Sequence, residues 1–133
     1  VQSVRDKLSC IPWAEVELVS ALSRQRTAKI LEYVDIAHEQ NSRRVGTSVL
    51  NDILREAVDW HKPPSTKQAK QGRIYYCTQV ASCPPTIAMF VNDPQLFREG
   101  YRRYMERQFR ESLGFRGTPI RIMWRGKAKA PAL

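Results

Sequence analysis

Cysteine and histidine are scarce in this 133-residue sequence, and neither is arranged in a catalytic or metal-binding motif. The three cysteines form no C-x-x-C pair, and an odd number leaves no closed disulfide framework. His38 and His61 have no carboxylate or thiol at ligand spacing, so a surface or structural role is predicted for each. The zinc-protease, serine-hydrolase and phosphate-loop motifs are also absent. The residues alone therefore predict reduced thiols, no catalytic residues and no metal site.

The sequence also lacks long apolar runs and has little negative charge. No segment approaches the ~18 apolar residues of a membrane span, and no secretory signal opens the chain. Lys and Arg number 22 against 13 Asp and Glu, which gives a net charge of +9. Residues 1–47 carry +1 of this charge and residues 48–133 carry +8. An excess this uneven favours an anionic partner for the second part of the chain.

Periodicity in the first part predicts a small helix–strand–helix unit. A helix ends near Cys10, before Pro12, and Glu15–Val19 alternates as a strand. A second helix over about 26–40 places Ile30, Leu31, Val34 and Ala37 on one stripe. This unit is too small to bury both faces of its strand. We interpret it as the end of an α/β domain whose other strands are not in the sequence.

The second part predicts an α+β fold, which begins after a polar stretch around residues 41–47. Tyr101, Met105, Phe109 and Leu113 recur every four residues and predict the buried face of a long helix. The predicted order is a helix over about 48–60, strands over 73–81 and 86–92, a short turn or helix that begins at 93–94, a helix over about 98–113 and a strand over 120–125.

This order, with a three-stranded mixed sheet and helices on one face, is similar to a type II K-homology domain. Several segments together resemble the C-terminal K-homology-like domain of the double-GTPase family Der, also called EngA. They are Thr47-Ser48-Val49-Leu50-Asn51, Tyr76-Cys77-Thr78-Gln79-Val80, Cys83-Pro84-Pro85-Thr86, Tyr101-Arg102-Arg103-Tyr104 and Gly117-Thr118-Pro119-Ile120-Arg121. Upstream, Val19-Ser20-Ala21-Leu22 followed by Arg24-Gln25-Arg26 resembles the fifth guanine-nucleotide motif of the family's second GTPase domain.

The resemblance implies a division of the chain into three parts. Residues 1–44 are expected to be the incomplete C-terminal piece of a P-loop GTPase domain, contributing its last strand and helix. Residues 45–129 are expected to form the K-homology-like domain, and residues 130–133 a tail.

The resemblance also implies a function in ribosome biogenesis, as a factor in the assembly of the large ribosomal subunit. GTP or GDP with Mg²⁺ would be the cofactor of the intact protein. The expected partners are ribosomal RNA or the large subunit, and neighbouring GTPase domains of the same chain. The expected location is the bacterial cytoplasm or the plastid stroma. The phosphate loop, the switch regions and the N-K-x-D motif are missing from the sequence. We therefore expect this chain to bind no nucleotide and hydrolyse no GTP alone.

Two sets of candidate binding residues follow from the resemblance and the charge. Ser20, Ala21 and Leu22 would contact guanine in the intact protein; the alternative is an ordinary strand-to-helix turn. Basic residues would contact RNA or the ribosome: Lys67, Lys70, Arg98, Arg102, Arg103, Arg107, Arg116, Arg121, Lys127 and Lys129. Two alternatives remain open for them. They form a solvated face held by i,i+4 ion pairs, or a protein-interaction module that packs on a neighbouring GTPase domain and relays its nucleotide state.

One motif match is misleading. Gly114-Phe115-Arg116-Gly117 fits the G-x-x-G with which many K-homology domains clamp RNA. That clamp joins the two central helices, which here corresponds to about 92–98, where this glycine pattern is missing. We therefore expect no RNA grip of the usual K-homology kind. The large aromatic residues are interpreted as core residues rather than stacking platforms: Trp60, Tyr75, Tyr76, Phe90 and Trp124.

Overall fold

The computed structural model describes residues 1–127. Within this range no helix has the length and apolar character required to cross a bilayer. The elements in chain order are α1 (Gln2–Lys7), α2 (Thr27–Ser42), α3 (Thr47–Trp60), β1 (Ile74–Ala81), β2 (Thr86–Val91), a 3-10 turn (Pro94–Leu96), α4 (Glu99–Leu113) and β3 (Arg121–Arg125). The predicted order of elements from α3 to β3 is therefore confirmed.

The three strands form one mixed sheet with β2 in the centre. β1 pairs with β2 antiparallel, and β2 pairs with β3 in parallel. A parallel pair needs a crossover connection, which α4 supplies between β2 and β3. The position of β2 explains its composition, because five of its six residues are buried. The structure thus confirms an α+β fold with a three-stranded mixed sheet.

The hydrophobic core lies between one face of this sheet and helices α3 and α4. Tyr101, Met105, Phe109 and Leu113 are all buried, as their spacing predicted. From α3, the buried side chains are Leu50, Leu54 and Ala57. Burial of each large apolar side chain contributes about 1.5–3 kcal/mol, so α4 and α3 hold the sheet mainly through these stripes.

The edge of β1 is satisfied by a side chain of α3. Asn51 accepts a 3.0 Å hydrogen bond from the N–H of Cys77 and donates a 2.9 Å bond to its carbonyl. The amide therefore substitutes for a neighbouring strand at this position and blocks the edge from further pairing. Burial raises the pKa of the Cys77 thiol to about 12.

The first part of the chain differs from the sequence prediction. Residues 14–19 belong to no helix or strand, and Ser20 forms only an isolated bridge to Gln25. The predicted strand at Glu15–Val19 is therefore wrong for the described chain, because no other strand of residues 1–127 lies beside it. The predicted helix over 26–40 is present as α2, yet none of its residues is buried.

Candidate nucleic-acid interface

Three arginines at or on α4 are exposed: Arg98 at its N-cap, and Arg103 and Arg107 on the polar face of the helix. Arg103 forms a 3.0 Å ion pair with Glu99, one turn earlier in the helix. Such an exposed pair contributes little to stability, since water screens both charges. This face therefore keeps cations that an anionic partner could use.

A cleft of about 730 Å³ lies beside this face, between α4 and the segment that follows α1. Arg103, Arg107 and Arg110 line one side, and Ser9 and Cys10 line the other. Glu106 and Glu111 also reach the cleft, so its charge is positive but mixed.

Arg102 is not part of the free basic surface. Its guanidinium donates to the carbonyls of Phe97 at 2.7 Å and Pro94 at 2.9 Å, and it lies over the Trp124 ring. Charged hydrogen bonds of this kind hold the 3-10 turn against the start of α4. The Arg102 side chain, which was predicted to contact RNA, therefore stabilises the fold instead.

Arg110 has a similar role at the other end of α4. Its Nη1 donates to the carbonyls of Phe115 at 3.2 Å and Thr118 at 3.1 Å. Burial lowers the pKa of the group, and its Nη2 is buried without a hydrogen bond among the described residues. The helix therefore separates into exposed arginines and arginines that bind backbone carbonyls.

Three i,i+4 ion pairs that the residue spacing on α4 allows are not formed. Arg102–Glu106, Glu106–Arg110 and Arg107–Glu111 are missing from the ion pairs of residues 1–127. Arg102 and Arg110 turn to carbonyl groups instead, because those acceptors are less exposed to water than a surface carboxylate.

Arg116 joins the two parts of the chain. It forms an ion pair with Glu15, and its guanidinium lies 5.4 Å from the centre of the Tyr33 ring. The hydrogen bond to Glu15 raises the pKa of Arg116. The Tyr33 hydroxyl donates a hydrogen bond to Glu17, and this bond raises the pKa of Tyr33. Arg116 is thus held against the first part of the chain.

The remaining basic candidates are scattered. Lys67 is exposed in the loop before β1, and Lys70 in the same loop forms a 3.2 Å ion pair with Asp93. Arg121 is exposed on β3, and Lys127 lies 5.5 Å from the centre of the Tyr75 ring. Lys129 lies outside the described residues, as does the predicted tail at 130–133. The structure therefore brings together only part of the predicted set.

The glycine motif occupies the position that the sequence indicated. Gly114 ends α4 with a φ of +81°, and Gly117, with a φ of +74°, lies in the loop before β3. A Cβ at Gly117 would lie 3.0 Å from the Cβ of Ala37, so glycine also permits close approach of α2. The connection between β2 and α4 contains the 3-10 turn instead of a glycine clamp.

The loop predicted to contact guanine is exposed. Ala21 and Leu22 lie on a turn after the Ser20 bridge, and the Leu22 side chain is 99% exposed. The Ser20 hydroxyl accepts a 3.3 Å bond from the N–H of Ser23, which shapes the turn. This loop could supply a base contact, but the sequence supplies no phosphate loop beside it. No group of three metal-ligating side chains comes together within residues 1–127.

The aromatic residues were interpreted as core residues, and for three of them this is wrong. Trp60 is 80% exposed, Tyr75 49% and Tyr76 48%. Trp124 does pack against the core, stacked on Phe97 with ring centres 4.9 Å apart. The alternation of side chains along β1 could have indicated the exposure of Tyr76. Tyr76 shares its face with Thr78, while Cys77 and Gln79 point into the core.

Comparison with known proteins agrees with the geometry. Residues 44–125 match the family model described as the KH-domain-like region of EngA bacterial GTPase enzymes, C-terminal. The chain is 62% identical over 126 residues to GTPase Der of Crocosphaera subtropica, which covers 95% of this chain and 28% of that protein. It is 61% identical to GTPase Der of Microcystis aeruginosa, over 93% of this chain and 27% of that protein.

The chain thus spans a little over a quarter of the length of these curated relatives. Both the matched region and the mixed sheet with helices on one face fit the same assignment. The chain belongs to the Der (EngA) GTPase family, and its residues 44–125 are the C-terminal KH-like region of that family.

Proposed function

We propose that this chain serves a GTPase of ribosome biogenesis, with its KH-like domain contacting ribosomal RNA or the large subunit through exposed basic residues. The division into residues 1–44, 45–129 and 130–133 is part of this proposal. The observation that carries it is the set of exposed arginines formed by Arg98 at the N-cap of α4 and by Arg103 and Arg107 on the helix, whose guanidinium groups donate to no backbone carbonyl within residues 1–127. Guanidinium groups suit phosphate oxygens, and phosphate contacts supply most non-specific affinity.

The intact protein is proposed to bind GTP or GDP with Mg²⁺, and Ser20, Ala21 and Leu22 are the residues of this chain proposed to contact the guanine base. Support comes from the exposure of this loop and from the relatives, which are named as GTPases. The bound nucleotide and metal would supply the hydrolysis chemistry. The chain itself would only orient the base. We place the protein where ribosomes assemble, in the bacterial cytoplasm or the plastid stroma.

A salt titration tests the RNA proposal. A footprint of a few phosphates should give a slope of log K against log salt of about −2 to −4, since each contact contributes roughly −0.7 to −0.9. The double variant Arg103→Glu, Arg107→Glu should weaken binding to ribosomal RNA and flatten this slope. The matched control is Arg5→Glu, Arg44→Glu, which changes the net charge equally at two exposed positions.

Circular dichroism checks that both double variants are folded. Undetectable binding at low salt, or binding that does not depend on salt, would contradict the proposal. An equal loss in the control would show that net charge, and not the α4 face, determines binding.

A second function is favoured by a different observation. Ile30, Leu31 and Val34 of α2 are 45%, 68% and 55% exposed, which is unusual for an apolar helix face. We infer that other residues of the GTPase domain to which residues 1–44 belong cover this face, and that the KH-like domain packs on a neighbouring GTPase domain and relays its nucleotide state. Hydrogen exchange of the segment equivalent to α2 should then differ between GDP and a GTP analogue in a full-length cyanobacterial relative. Identical exchange in both states would contradict this function.

A further inference from the structure

We propose that the outer face of the sheet is a stacking platform for the bases of single-stranded RNA. This inference rests on the proposed RNA function, but it concerns a surface separate from the basic face of α4. The helices cover one face of the sheet, and Arg103 and Arg107 lie on the exposed side of α4, away from its buried stripe. The platform is therefore on the opposite side of the domain.

The strand register defines the composition of this outer face. Ile122 and Trp124 of β3 pack against the core, so Arg121, Met123 and Arg125 project outward. Across the strands, Tyr76 lies beside Phe90, and Phe90 lies beside Arg125. The next row is Thr78, Ala88 and Met123. One row therefore places two aromatic rings next to a guanidinium group.

The aromatic pair already has the geometry of a stack. The Tyr76 and Phe90 rings are nearly parallel, at 15°, with centres 4.5 Å apart. Tyr76 is 48% exposed, although burying a tyrosine ring normally stabilises a fold. An unstacked base can extend such a pair of rings, as it does on other sheet surfaces that read single-stranded RNA.

The charge of this face favours a nucleic acid over an apolar protein surface. The three strands contain no Asp or Glu. Arg121 and Arg125 of this face take part in none of the ion pairs found within residues 1–127. An apolar partner would have to desolvate these two cations without compensation, whereas phosphates would neutralise them.

The inference also agrees with the absence of a glycine clamp between β2 and α4. Without that clamp the domain has no backbone grip of the usual K-homology type, so specificity for a single strand must come from other groups. Stacking provides it, because duplex bases are paired and do not present their faces.

The test compares three fluorescein-labelled probes with the full chain: a ten-nucleotide oligouridylate, an abasic oligomer of equal length, and a ten-base-pair RNA duplex. At the same salt concentration, the oligouridylate should bind about tenfold more tightly than the abasic oligomer, since stacking on aromatic side chains contributes about 1–3 kcal/mol per base. Tyr76→Leu should remove most of this difference, and Tyr76→Phe should keep it. Trp60→Leu, at an exposed aromatic residue of α3, is the matched control and should also keep it.

The outcomes separate this inference from the proposed function. One possible result is that the oligouridylate and the abasic oligomer bind equally tightly, with binding of both weakened by the double variant Arg103→Glu, Arg107→Glu. This result would reject the platform and support only the electrostatic contact. No binding of any probe at low salt would reject both. If Tyr76→Leu is unfolded by circular dichroism, the aromatic proton resonances of the wild-type chain decide. Unshifted Tyr76 and Phe90 signals on adding oligouridylate would overturn the platform and leave this face for a protein partner.

Discussion

The hydroxyl of Thr118 donates a 2.8 Å hydrogen bond to the side-chain oxygen of Asn41, joining the loop before β3 to the end of α2. Thr118 is 2% exposed, so this bond is shielded from water. The backbone carbonyl of Asn41 accepts a 2.9 Å bond from the N–H of Cys83, and Arg43 donates a 2.7 Å bond to the carbonyl of Leu113. The end of α2 is therefore fixed to the KH-like region from three directions.

Removal of this hydroxyl should destabilise the whole chain. We expect Thr118→Val to lower the free energy of unfolding by about 1–3 kcal/mol, because the Asn41 oxygen would lose its donor in a buried place. Urea denaturation measures the change. Ser48→Ala removes an exposed hydroxyl and should change the stability by less than about 0.5 kcal/mol. Equal stabilities of Thr118→Val and the wild type would contradict the role of this bond.

Residues 1–44 should be less stable than the sheet to which they are attached. We expect weaker hydrogen-exchange protection there than in residues 73–125, because α1 and α2 bury no residue while β2 and α4 form the core. Native-state exchange measured by mass spectrometry resolves the two regions. Equal protection would show that contacts such as Arg116–Glu15 suffice to fold the first part.

Substitution of two adjacent arginines of α4 should affect the stability of the fold differently. Arg102→Ala should lower the free energy of unfolding by about 1–3 kcal/mol, since the Phe97 and Pro94 carbonyls would lose a charged donor. Arg103→Ala should leave stability almost unchanged, because its pair with Glu99 is exposed. Thermal unfolding measures stability, and the salt titration measures binding. Matching stability losses in both variants would contradict this division of roles.

The cysteines should differ in reactivity. Cys10 and Cys83 are exposed and should react with a chromogenic disulfide reagent at pH 8 in the native chain, whereas Cys77 should react only after unfolding. Burial raises the pKa of Cys77 to about 12, so its thiolate is disfavoured in the folded state. The stability that this difference in pKa contributes is fully present below the unfolded thiol pKa of about 9, and it is lost as the pH rises toward 12. Three fast-reacting thiols in the native chain would contradict this placement.

Local patterns predicted the elements of the KH-like region well. Tyr101 and Met105 lie one helical turn apart, so their burial follows from the helix period alone. Gly114 was placed at the end of α4 for a similar local reason, since glycine tolerates a positive φ. The order of strands and helices could also be predicted from the sequence, because turn residues and changes in hydrophobic period are local features of the chain.

The partners of individual side chains depended on the tertiary structure. The sequence could not separate Arg102, which binds two carbonyls, from Arg103, which is exposed, because both are arginines on one helix. It could not show that Tyr76 is exposed, because alternation defines two faces of a strand and only packing decides which one the helices cover. The predicted strand at Glu15–Val19 was wrong for the same reason. Periodicity is a property of one segment, whereas pairing, burial and the choice of a charged partner require a second segment that lies nearby only after folding.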